Sequence, residues 1–493
     1  MPQYHRREFL RTAALLGASA PLGGFALGDG PKRPSSPFLE GNYGPVREET
    51  TIDALEVVGK IPADLEGMYL RNGPNPQFPP KGHYHWFDGD GMIHGVRLAG
   101  GKASYRNRFV QTPGLIEEKA AGKALYGGLA DMPDIAKLAK GGSPYKNVAN
   151  TALAWHDGKL LALWEGGEPY RVRLPGLDTV GGETFGGKLR HAFTAHPKVD
   201  PATGEMLFFG YQPVGPYLQY SVVGPDGAIR STTPIELPRP VMMHDFAVTE
   251  TKTVFMDLPA TFDFKRMMAG GPMLKYEPDR GARFGVLPRH GKGSEIRWFS
   301  SPSCYVFHTL NAHDEGDEVV LTAARLDAYP DDLATKPTEA RTNPVPTRLY
   351  RWRFNLKTGA TTEGPLDDVS ADFPRLADVR LGRDNRYGYL TKGEWAGLIK
   401  YDLKAGTSRH HDFGPGRLAG EGVFVPRDGS KAEDDGYVLT FVFDQAAQAS
   451  ELVVLSAEDF AAAPLARVKI PRRVPHGFHG IWVTADQLAH QHA

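Results

Sequence analysis

Four histidines that lie far apart in the chain stand in apolar surroundings of the kind that suit metal ligands. Each directly follows Ala, Met or Phe in a run typical of a strand edge: His196, His244, His308 and His479. Their separation excludes a helical His-Glu-x-x-His site. Four neutral imidazoles around one divalent ion would suit iron, copper, nickel or zinc. For any one of them alone, a core histidine bonded to backbone is the simpler interpretation, so only their combination favours a metal.

The cysteine content and the net charge limit the kinds of metal site and partner that the chain can have. Cys304 is the single cysteine among 493 residues, which excludes an internal disulfide and a zinc site built on several thiolates. Any metal must therefore be held by histidine and carboxylate. The 57 basic and 58 acidic residues give a net charge of -1, so no bulk electrostatic field favours a nucleic acid partner.

Short β-type runs separated by turn residues fill the chain from about residue 50 onward, and they predict an all-β fold. A propeller is the expected architecture, because many short antiparallel strands must close on themselves to remove exposed edges. In a closed propeller, distant segments meet at the central axis, one ligand per blade. Residues 31–493 are expected to form a single domain. Insertions are predicted over one face: a helix-containing segment at 115–141 and loops at 268–291 and 329–347.

Residues 1–30 have the features of an export signal. Arg6 and Arg7 precede Phe9 and Leu10, and a mostly small and apolar run follows. This arrangement resembles a twin-arginine signal and predicts a periplasmic protein, the alternative being a basic N-terminal helix. Because that route generally exports folded proteins, often with a cofactor already loaded, it also favours a metal.

Taken together and in order, the motifs of the chain resemble the carotenoid cleavage oxygenase family, which includes carotenoid-, apocarotenoid- and stilbene-cleaving dioxygenases and a retinoid isomerase. The matching segments are 67–76, 85–92, 105–110, 149–151, 163–167, 194–198, 243–246, 307–308, 421–426 and 473–482. The resemblance covers roughly residues 45–485. It implies a seven-bladed β-propeller whose helical and loop insertions form a cap over one face.

The resemblance also implies a metal centre on the propeller axis. The family's Fe(II) ligands match His196, His244, His308 and His479, and O2 is the co-substrate. Three carboxylates that accept the free N–H of three ligands match Glu165, Asp372 and Glu421. The position of Asp372 is usually Glu in the family. Asp is one methylene shorter, so it would reach its histidine through water or through a shifted strand. His476, three residues before His479, is expected to line the wall.

The reaction implied by the resemblance is oxidative cleavage of one C=C bond of a carotenoid or apocarotenoid to two carbonyl products. The expected substrate and O2 pocket comprises Thr151, Trp164, Met242, Phe307 and Phe478. Trp164 stands where the stilbene-cleaving branch commonly has a phenol-binding lysine, which disfavours lignostilbene as substrate. The alternatives are a stilbene dioxygenase, an isomerase and a lipid-binding propeller without catalysis.

A lipophilic substrate must leave a membrane or a carrier, and one segment could serve that step. Residues 115–138 place Leu125 and Leu129 near lysines, which predicts a peripheral membrane contact. The alternative interpretation of the same segment is a lid that packs on the propeller.

Overall fold

The computed structural model describes residues 36–129, 131, 145–269, 271–330 and 345–492. The predicted export signal at 1–30 lies outside the described residues, so it stays a prediction. The same holds for residues 130 and 132–138 of the predicted membrane segment and for most of the loop predicted at 329–347.

Seven antiparallel sheets form the blades of the propeller. Blade 1 contains β6 (Ala152–His156), β7 (Lys159–Leu163), β8 (Tyr170–Arg173) and β9 (Asp178–Gly182). Blade 2 contains β10 (Lys198–Val199), β11 (Met206–Tyr211), β12 (Leu218–Val223) and β13 (Ile229–Ile235). Blade 3 contains β14 (Ala247–Val248), β15 (Lys252–Asp257), β18 (Ala282–Pro288) and β19 (Arg297–Ser301). Blade 4 contains β20 (Tyr305–Glu315), β21 (Glu318–Leu326), β22 (Thr347–Asn355) and β23 (Thr361–Pro365).

Of the remaining three blades, blades 6 and 7 combine strands from both ends of the chain. Blade 5 contains β24 (Ala371–Arg375), β25 (Tyr387–Lys392), β26 (Leu398–Asp402) and β27 (Thr407–His411). Blade 6 contains β28 (Arg417–Ala419), β29 (Val423–Pro426), β30 (Gly436–Asp444), β31 (Ala449–Ser456), β32 (Ala466–Ile470) and β2 (Glu56–Gly59). Blade 7 contains β33 (Gly480–Thr484), β3 (Gly67–Pro74), β4 (Gly91–Ala99), β5 (Lys102–Phe109) and β1 (Thr50–Ile52). A separate hairpin consists of β16 (Ala260–Phe262) and β17 (Leu274–Tyr276).

Two pairings between distant parts of the chain close the ring. In blade 7, the C-terminal strand β33 pairs with β3, from Gly67 opposite Thr484 to Arg71 opposite Gly480. In blade 6, β2 pairs with β32. Because strands from the two ends of the chain share sheets, neither end blade can separate without breaking ladder hydrogen bonds. The seven-bladed β-propeller implied by the sequence resemblance is confirmed.

The hydrophobic core lies between neighbouring blades. Buried side chains of blades 3 and 4 form one cluster, which includes Phe284, Tyr305 and Trp352. A second cluster joins blades 6 and 7, with Tyr69 and Leu452 among its members. Each blade thus buries apolar surface against both neighbours, which stabilises the ring and holds the strand ends near the axis in place.

Helices are few and short in the part of the chain that the structure describes. They are α1 (Pro113–Ala121), α2 (Phe264–Met268) and α3 (Ala485–Ala489), and 3-10 turns occupy Pro37–Leu39, Gly41–Tyr43, Trp86–Asp88, Pro278–Arg280, Gly293–Glu295, Asp378–Arg380 and Gly393–Trp395. Helix α1 begins after Thr112, whose side chain accepts from the Leu115 amide, and ends at Gly122, where φ is 67°. Among the described residues, no helix is both long and apolar enough to span a bilayer.

The insertions differ in part from expectation. Helix α1 agrees with the helix predicted in 115–141, but Leu115 is fully buried against Met92 and Phe109, so the segment begins by packing on blade 7. The prediction of a long loop at 268–291 is wrong, because this segment contains β17 and the blade strand β18. Pro and Gly residues there mark the ends of strands rather than one long loop.

Candidate metal centre

Each of the seven blades contributes one side chain to a single site on the propeller axis. The four histidines lie at or just before the strand that begins blades 2, 3 and 4 and before β33 of blade 7: His196, His244, His308 and His479. The other three blades supply Glu165, after β7; Asp372, in β24; and Glu421, between β28 and β29. The closed ring of blades therefore gathers residues that are up to 314 positions apart, from Glu165 to His479.

The four imidazoles converge. Each offers one ring nitrogen, and these nitrogens all lie within 4.8 Å of one another. The Nε2 atoms of His196 and His244 are 3.0 Å apart. Three of the rings are buried, and His196 is partly exposed. Since ligands on opposite sides of a first-row ion are separated by about 4 Å, this set of nitrogens fits one divalent metal ion.

Three carboxylates fix three of the rings. The Nδ1 atom of His244 lies 2.6 Å from a Glu165 oxygen. The Nδ1 atom of His308 lies 2.8 Å from Asp372, and that of His479 lies 2.9 Å from Glu421. A carboxylate accepts the Nδ1–H, which leaves the Nε2 lone pair for a metal and fixes the plane of the ring. Among the described residues, His196 has no carboxylate of this kind.

Asp372 reaches its histidine directly, although its side chain is one methylene shorter than Glu. The pairing of β24 with β25 shifts register between Asp372 and Arg375. Phe373, at the shift, has a φ of 55°, which is rare for a non-glycine residue. The contact between Asp372 and His308 is direct, so no bridging water is needed.

Burial and charge tune the protonation of the site. Burial lowers the pKa of His196 well below its ordinary value, and the three neighbouring imidazoles add to the effect. Burial also lowers the pKa of His479, to about 4, although Glu421 opposes the change. Burial would lower the pKa of His244 too, but the charge and hydrogen bond of Glu165 raise it overall. His196 and His479 are therefore neutral near pH 7, as metal ligands must be.

A second network ties the ligand-bearing strands together behind the rings. Asp245 is 1% exposed and accepts from Lys198 Nζ at 2.8 Å, from the Thr309 amide at 2.7 Å and from the Thr309 hydroxyl at 2.8 Å. Lys198, Asp245 and Thr309 each lie one or two residues after a ligand histidine. We call these three residues the Asp245 clamp. The clamp links blades 2, 3 and 4 at the level of the metal site.

Two of the predicted pocket residues lie against the histidines. The Phe307 ring is 5.6 Å from His244 and 6.2 Å from His308, measured between centroids. Thr151 is buried, its carbonyl accepts from the His479 amide at 3.2 Å, and its hydroxyl donates to Asn150 at 2.9 Å. With the hydroxyl engaged, the methyl group is the free branch of this side chain.

The other three predicted pocket residues have their main contacts elsewhere. Met242 belongs to the buried cluster between blades 3 and 4. The Phe478 ring packs 4.4 Å from Trp86 and 5.7 Å from Phe87, measured between centroids. Trp164 is half-buried and lines an open cavity, which also touches Phe87 and Lys146.

Some residues at the site were missed from the sequence. Phe373 is the closest such aromatic ring, 5.0 Å from His308 and 5.3 Å from His479. Its position directly after Asp372 was an available signal. The Tyr211 hydroxyl donates to Glu165 at 2.5 Å, and burial raises the pKa of Tyr211 well above its ordinary value. No sequence signal linked Tyr211 to Glu165, which is 46 residues away.

Known proteins are similar to this chain over most of its length. A family model described as retinal pigment epithelial membrane protein matches residues 43–484. The chain is 41% identical to the carotenoid 9,10(9',10')-cleavage dioxygenase 1 of Arabidopsis thaliana, covering 92% of this chain and 91% of that protein. It is 42% identical to the carotenoid 9,10(9',10')-cleavage dioxygenase of Crocus sativus, covering 92% and 90%.

Solved structures agree with the sequence comparison. The lignostilbene dioxygenase of Pseudomonas brassicacearum superimposes with a TM-score of 0.85 at 34% identity, covering 92% of this chain and all of that one. A mutant of the Synechocystis apocarotenoid oxygenase superimposes with a TM-score of 0.82 at 29% identity, covering 90% and 98%. With the family model, the relatives and the four-histidine site in agreement, the chain belongs to the retinal pigment epithelial membrane protein family, the family of the carotenoid cleavage oxygenases.

Proposed function

We propose that this protein is an Fe(II)-dependent dioxygenase that cleaves one C=C bond of a carotenoid or apocarotenoid with O2 and releases two carbonyl products. The observation that carries the proposal is the set of four converging histidines. Three carboxylates each accept the Nδ1–H of one of these histidines, which leaves its Nε2 for a metal: Glu165, Asp372 and Glu421. The names of the two plant relatives support the class of substrate.

The donor set supports iron as the metal. Imidazole nitrogen suits iron among the divalent ions, and four neutral ligands leave the full charge of the ion uncompensated. When bound, Fe(II) would supply open coordination positions for O2 beside an electron-rich double bond. The reaction then needs no general acid or base, so the buried carboxylates are not required to transfer protons.

The side chains around the ligands would hold the substrate and exclude water. Phe307 covers His244, and Phe373 covers His308 and His479, so flat apolar surfaces flank the site on two sides. Such surfaces suit a conjugated polyene and keep bulk water from the reacting bond. The methyl group of Thr151 would restrict the space left for O2.

A phenolic stilbene is the second candidate substrate. The lignostilbene dioxygenase of Pseudomonas brassicacearum, with its TM-score of 0.85, supports it. Against it, Trp164 stands where a phenol-binding lysine would be expected, and an indole ring cannot pair with a phenolate as an ammonium can. We therefore place the carotenoid class first.

Metal analysis and paired substrate assays test the function. The purified protein should contain about one iron per chain and should convert an apocarotenal to two carbonyl products in air, but not under anaerobic conditions. Mass spectrometry identifies the products, and a hydroxystilbene is assayed in parallel. A protein without bound iron, or one inert toward both substrates in air, would contradict the proposal.

Exposed side chains in the segment at 115–138 support the proposal of a membrane contact. Ile116 is 53% exposed and Leu125 is 37% exposed, and Lys119 and Lys123 lie on the same segment, exposed to solvent. Apolar side chains among lysines suit an anionic bilayer surface. Changing Ile116 and Leu125 to Ser should weaken sedimentation with anionic liposomes, whereas Val379→Ser, a change at another exposed site, should not. If the double variant bound the liposomes as well as Val379→Ser does, the proposed membrane contact would be contradicted.

Export to the periplasm remains our expectation for residues 1–30. The twin-arginine route depends on its paired arginines, so changing Arg6 and Arg7 to Lys should retain the full-length protein in the cytoplasm. Fractionation followed by immunoblotting would measure this. Unchanged export of the variant would contradict the assignment.

A further inference from the structure

Four rings lie in mutual contact beside the metal centre. Tyr43 lies 5.2 Å from Trp86, Trp86 lies 5.9 Å from Trp395, Trp395 lies 4.7 Å from His476, and His476 lies 4.8 Å from Tyr43, all between ring centroids. We call them the His476 cluster. Three of them, Tyr43, Trp86 and Trp395, are only half-buried, so the cluster has an open side.

The cluster is one ring away from the metal ligands. Phe373 lies 5.3 Å from Trp395 and 5.3 Å from His479. On the other side, Phe478 directly precedes His479 and packs 4.4 Å from Trp86. A long apolar molecule that crosses the metal site over Phe373 therefore meets this cluster next.

The cluster contains polar groups that the described residues leave unused. His476 is 5% exposed, yet its ring makes no hydrogen bond to another described residue and contacts Trp395 and Tyr43 only ring to ring. The indole N–H of Trp86 is buried and also lacks a partner among the described residues. Tyr43 accepts from Trp395 Nε1 at 3.0 Å, which leaves its own proton to donate elsewhere.

Unused buried donors are uncommon, because a donor removed from water without a replacement partner destabilises the fold. The Trp86 N–H is such a donor, and in the same cluster the ring nitrogens of His476 have no partner among the described residues, which indicates that a partner is supplied from outside the chain. Burial, with the charges of Arg71 and Arg473, lowers the pKa of His476 to about 3, so this ring is neutral and offers one donor and one acceptor. The partner should therefore be a neutral oxygen group on an apolar body.

We propose that the His476 cluster binds a hydroxyl or carbonyl oxygen at the end of the substrate that lies away from the cleaved bond, and that it selects substrates carrying this oxygen. The inference rests on the proposed function. His476 and the Trp86 N–H contact the oxygen, and the ring faces pack against the end group that bears it. Neither group takes part in bond cleavage, so both are specificity residues.

Two pairs of substrates test the proposal. In the first pair, two apocarotenals of equal length differ only by a hydroxyl on the terminal ring. In the second, the polyene ends in an aldehyde or in a methyl group. For the wild type, kcat/KM should favour the oxygenated member of at least one pair by about tenfold, the effect of one well-placed hydrogen bond. The pair that responds identifies the oxygen as hydroxyl or carbonyl.

Variants assign the preference to the cluster. His476→Phe should bring the ratio close to one while metal content stays at the wild-type level, and Trp86→Phe should lower it by a smaller factor. His410→Phe, a matched change at an exposed strand position, should keep the wild-type ratio. Trp86→Phe also serves if His476→Phe fails to fold, since it removes one N–H and keeps an aromatic ring.

The outcomes separate this inference from the proposed function. A wild type that cleaves both members of each pair equally well, or a His476→Phe variant that keeps the wild-type ratio, would overturn the role of the cluster and leave the dioxygenase intact. A metal-loaded protein that cleaves none of the substrates would count against the proposed function. In that case, the dissociation constants for both members of each pair are measured by quenching of tryptophan fluorescence. Their ratios in the wild type and in His476→Phe then decide the role of the cluster by the same criterion.

Discussion

The two sides of the metal site are held in different ways. His244, His308 and His479 are fixed at the ring, each through a carboxylate on Nδ1. His196 has no such carboxylate among the described residues; its amide donates to Thr194 Oγ1 at 3.0 Å, and its strand is held by Lys198 on Asp245. One side is thus positioned by side-chain hydrogen bonds to the rings and the other through the backbone.

The carboxylates on Nδ1 and the Asp245 clamp control different features of the metal site. A carboxylate on Nδ1 sets both the tautomer and the plane of an imidazole. The Asp245 clamp sets only where a strand lies, so the plane of the His196 ring depends on its contacts with the other three imidazoles. We expect changes on the carboxylate side to reduce metal binding most, and changes in the clamp to appear as lost stability as well.

The largest effect should follow from His479→Ala. The change removes one ligand and leaves Glu421, which is 2% exposed, without its partner imidazole. Iron content should fall far below one per chain and turnover below detection. His290→Ala, at a histidine that is 62% exposed, is the matched control and should keep both. Full iron content in the His479 variant would remove this residue from the ligand set.

Next come the carboxylates themselves. Glu421→Gln and Asp372→Asn should each weaken metal binding by about 10- to 100-fold, the usual effect of losing the partner of a ligand imidazole. Glu421→Gln should be the worse of the two, because Glu421 also accepts from the Gly480 amide at 2.7 Å and lies 3.6 Å from Arg375. Competition with a chromophoric chelator measures the affinities. Equal and small losses would mean that the rings are held by packing alone.

Asp245→Asn tests the other side of the comparison. It leaves the ammonium of Lys198, 13% exposed, without its counter-charge, and should lower the free energy of unfolding by about 3 kcal/mol. Lys198 and the bonds from Thr309 hold the pKa of Asp245 below its ordinary value despite burial. The stabilisation is therefore present at neutral pH, and the gap between the two proteins should narrow as the pH falls below about 4.

Urea unfolding of the metal-free proteins at several pH values measures that gap. In the cobalt-substituted variant, the visible spectrum should also change, because the His196 strand is released while three rings keep their carboxylates. A spectrum identical to that of the wild type would show that the clamp acts on stability alone. An unfolding difference that grows toward low pH would contradict the role assigned to the Asp245 charge.

The smallest effect is expected for Tyr211→Phe. The change removes one hydrogen bond to Glu165, two steps from the metal, and should lower metal affinity by a few fold, or about 1 kcal/mol. Phe262→Leu, beside the stacked Tyr211 ring, controls for lost packing. If the two variants behave alike, the hydroxyl has no part in holding Glu165.

Short motifs in the chain are enough to identify the residues of the metal site. His196, His244, His308 and His479 stand inside short runs that are weak signals singly but together, in order, resemble the family's motifs, and Glu165, Asp372 and Glu421 lie in similar runs. Residue type alone would not select four ligands among 17 histidines, so these groups were predictable because the resemblance assigns them position by position. The seven-bladed ring followed from the same resemblance, together with the many short strands that must close.

The directions of side chains could not be predicted in this way. Phe478 precedes a ligand in the sequence but packs toward Trp86, whereas Phe373, at its left-handed φ of 55°, covers two of the ligand histidines. Asp372 contacts His308 directly, at the point where the pairing of β24 with β25 shifts register. Each outcome depends on the local twist and pairing of a strand, which its own residues do not specify.

The sequence by itself determined which histidines can bind the metal, because the ordered motifs around them resemble those of the family. Only the tertiary structure decided which of their neighbours hold them. Tyr211 meets Glu165, and Lys198 meets Asp245 and Thr309, because closing the ring brings separate blades to one axis. Contacts between blades depend on the geometry of the whole ring, and no short stretch of residues contains that information.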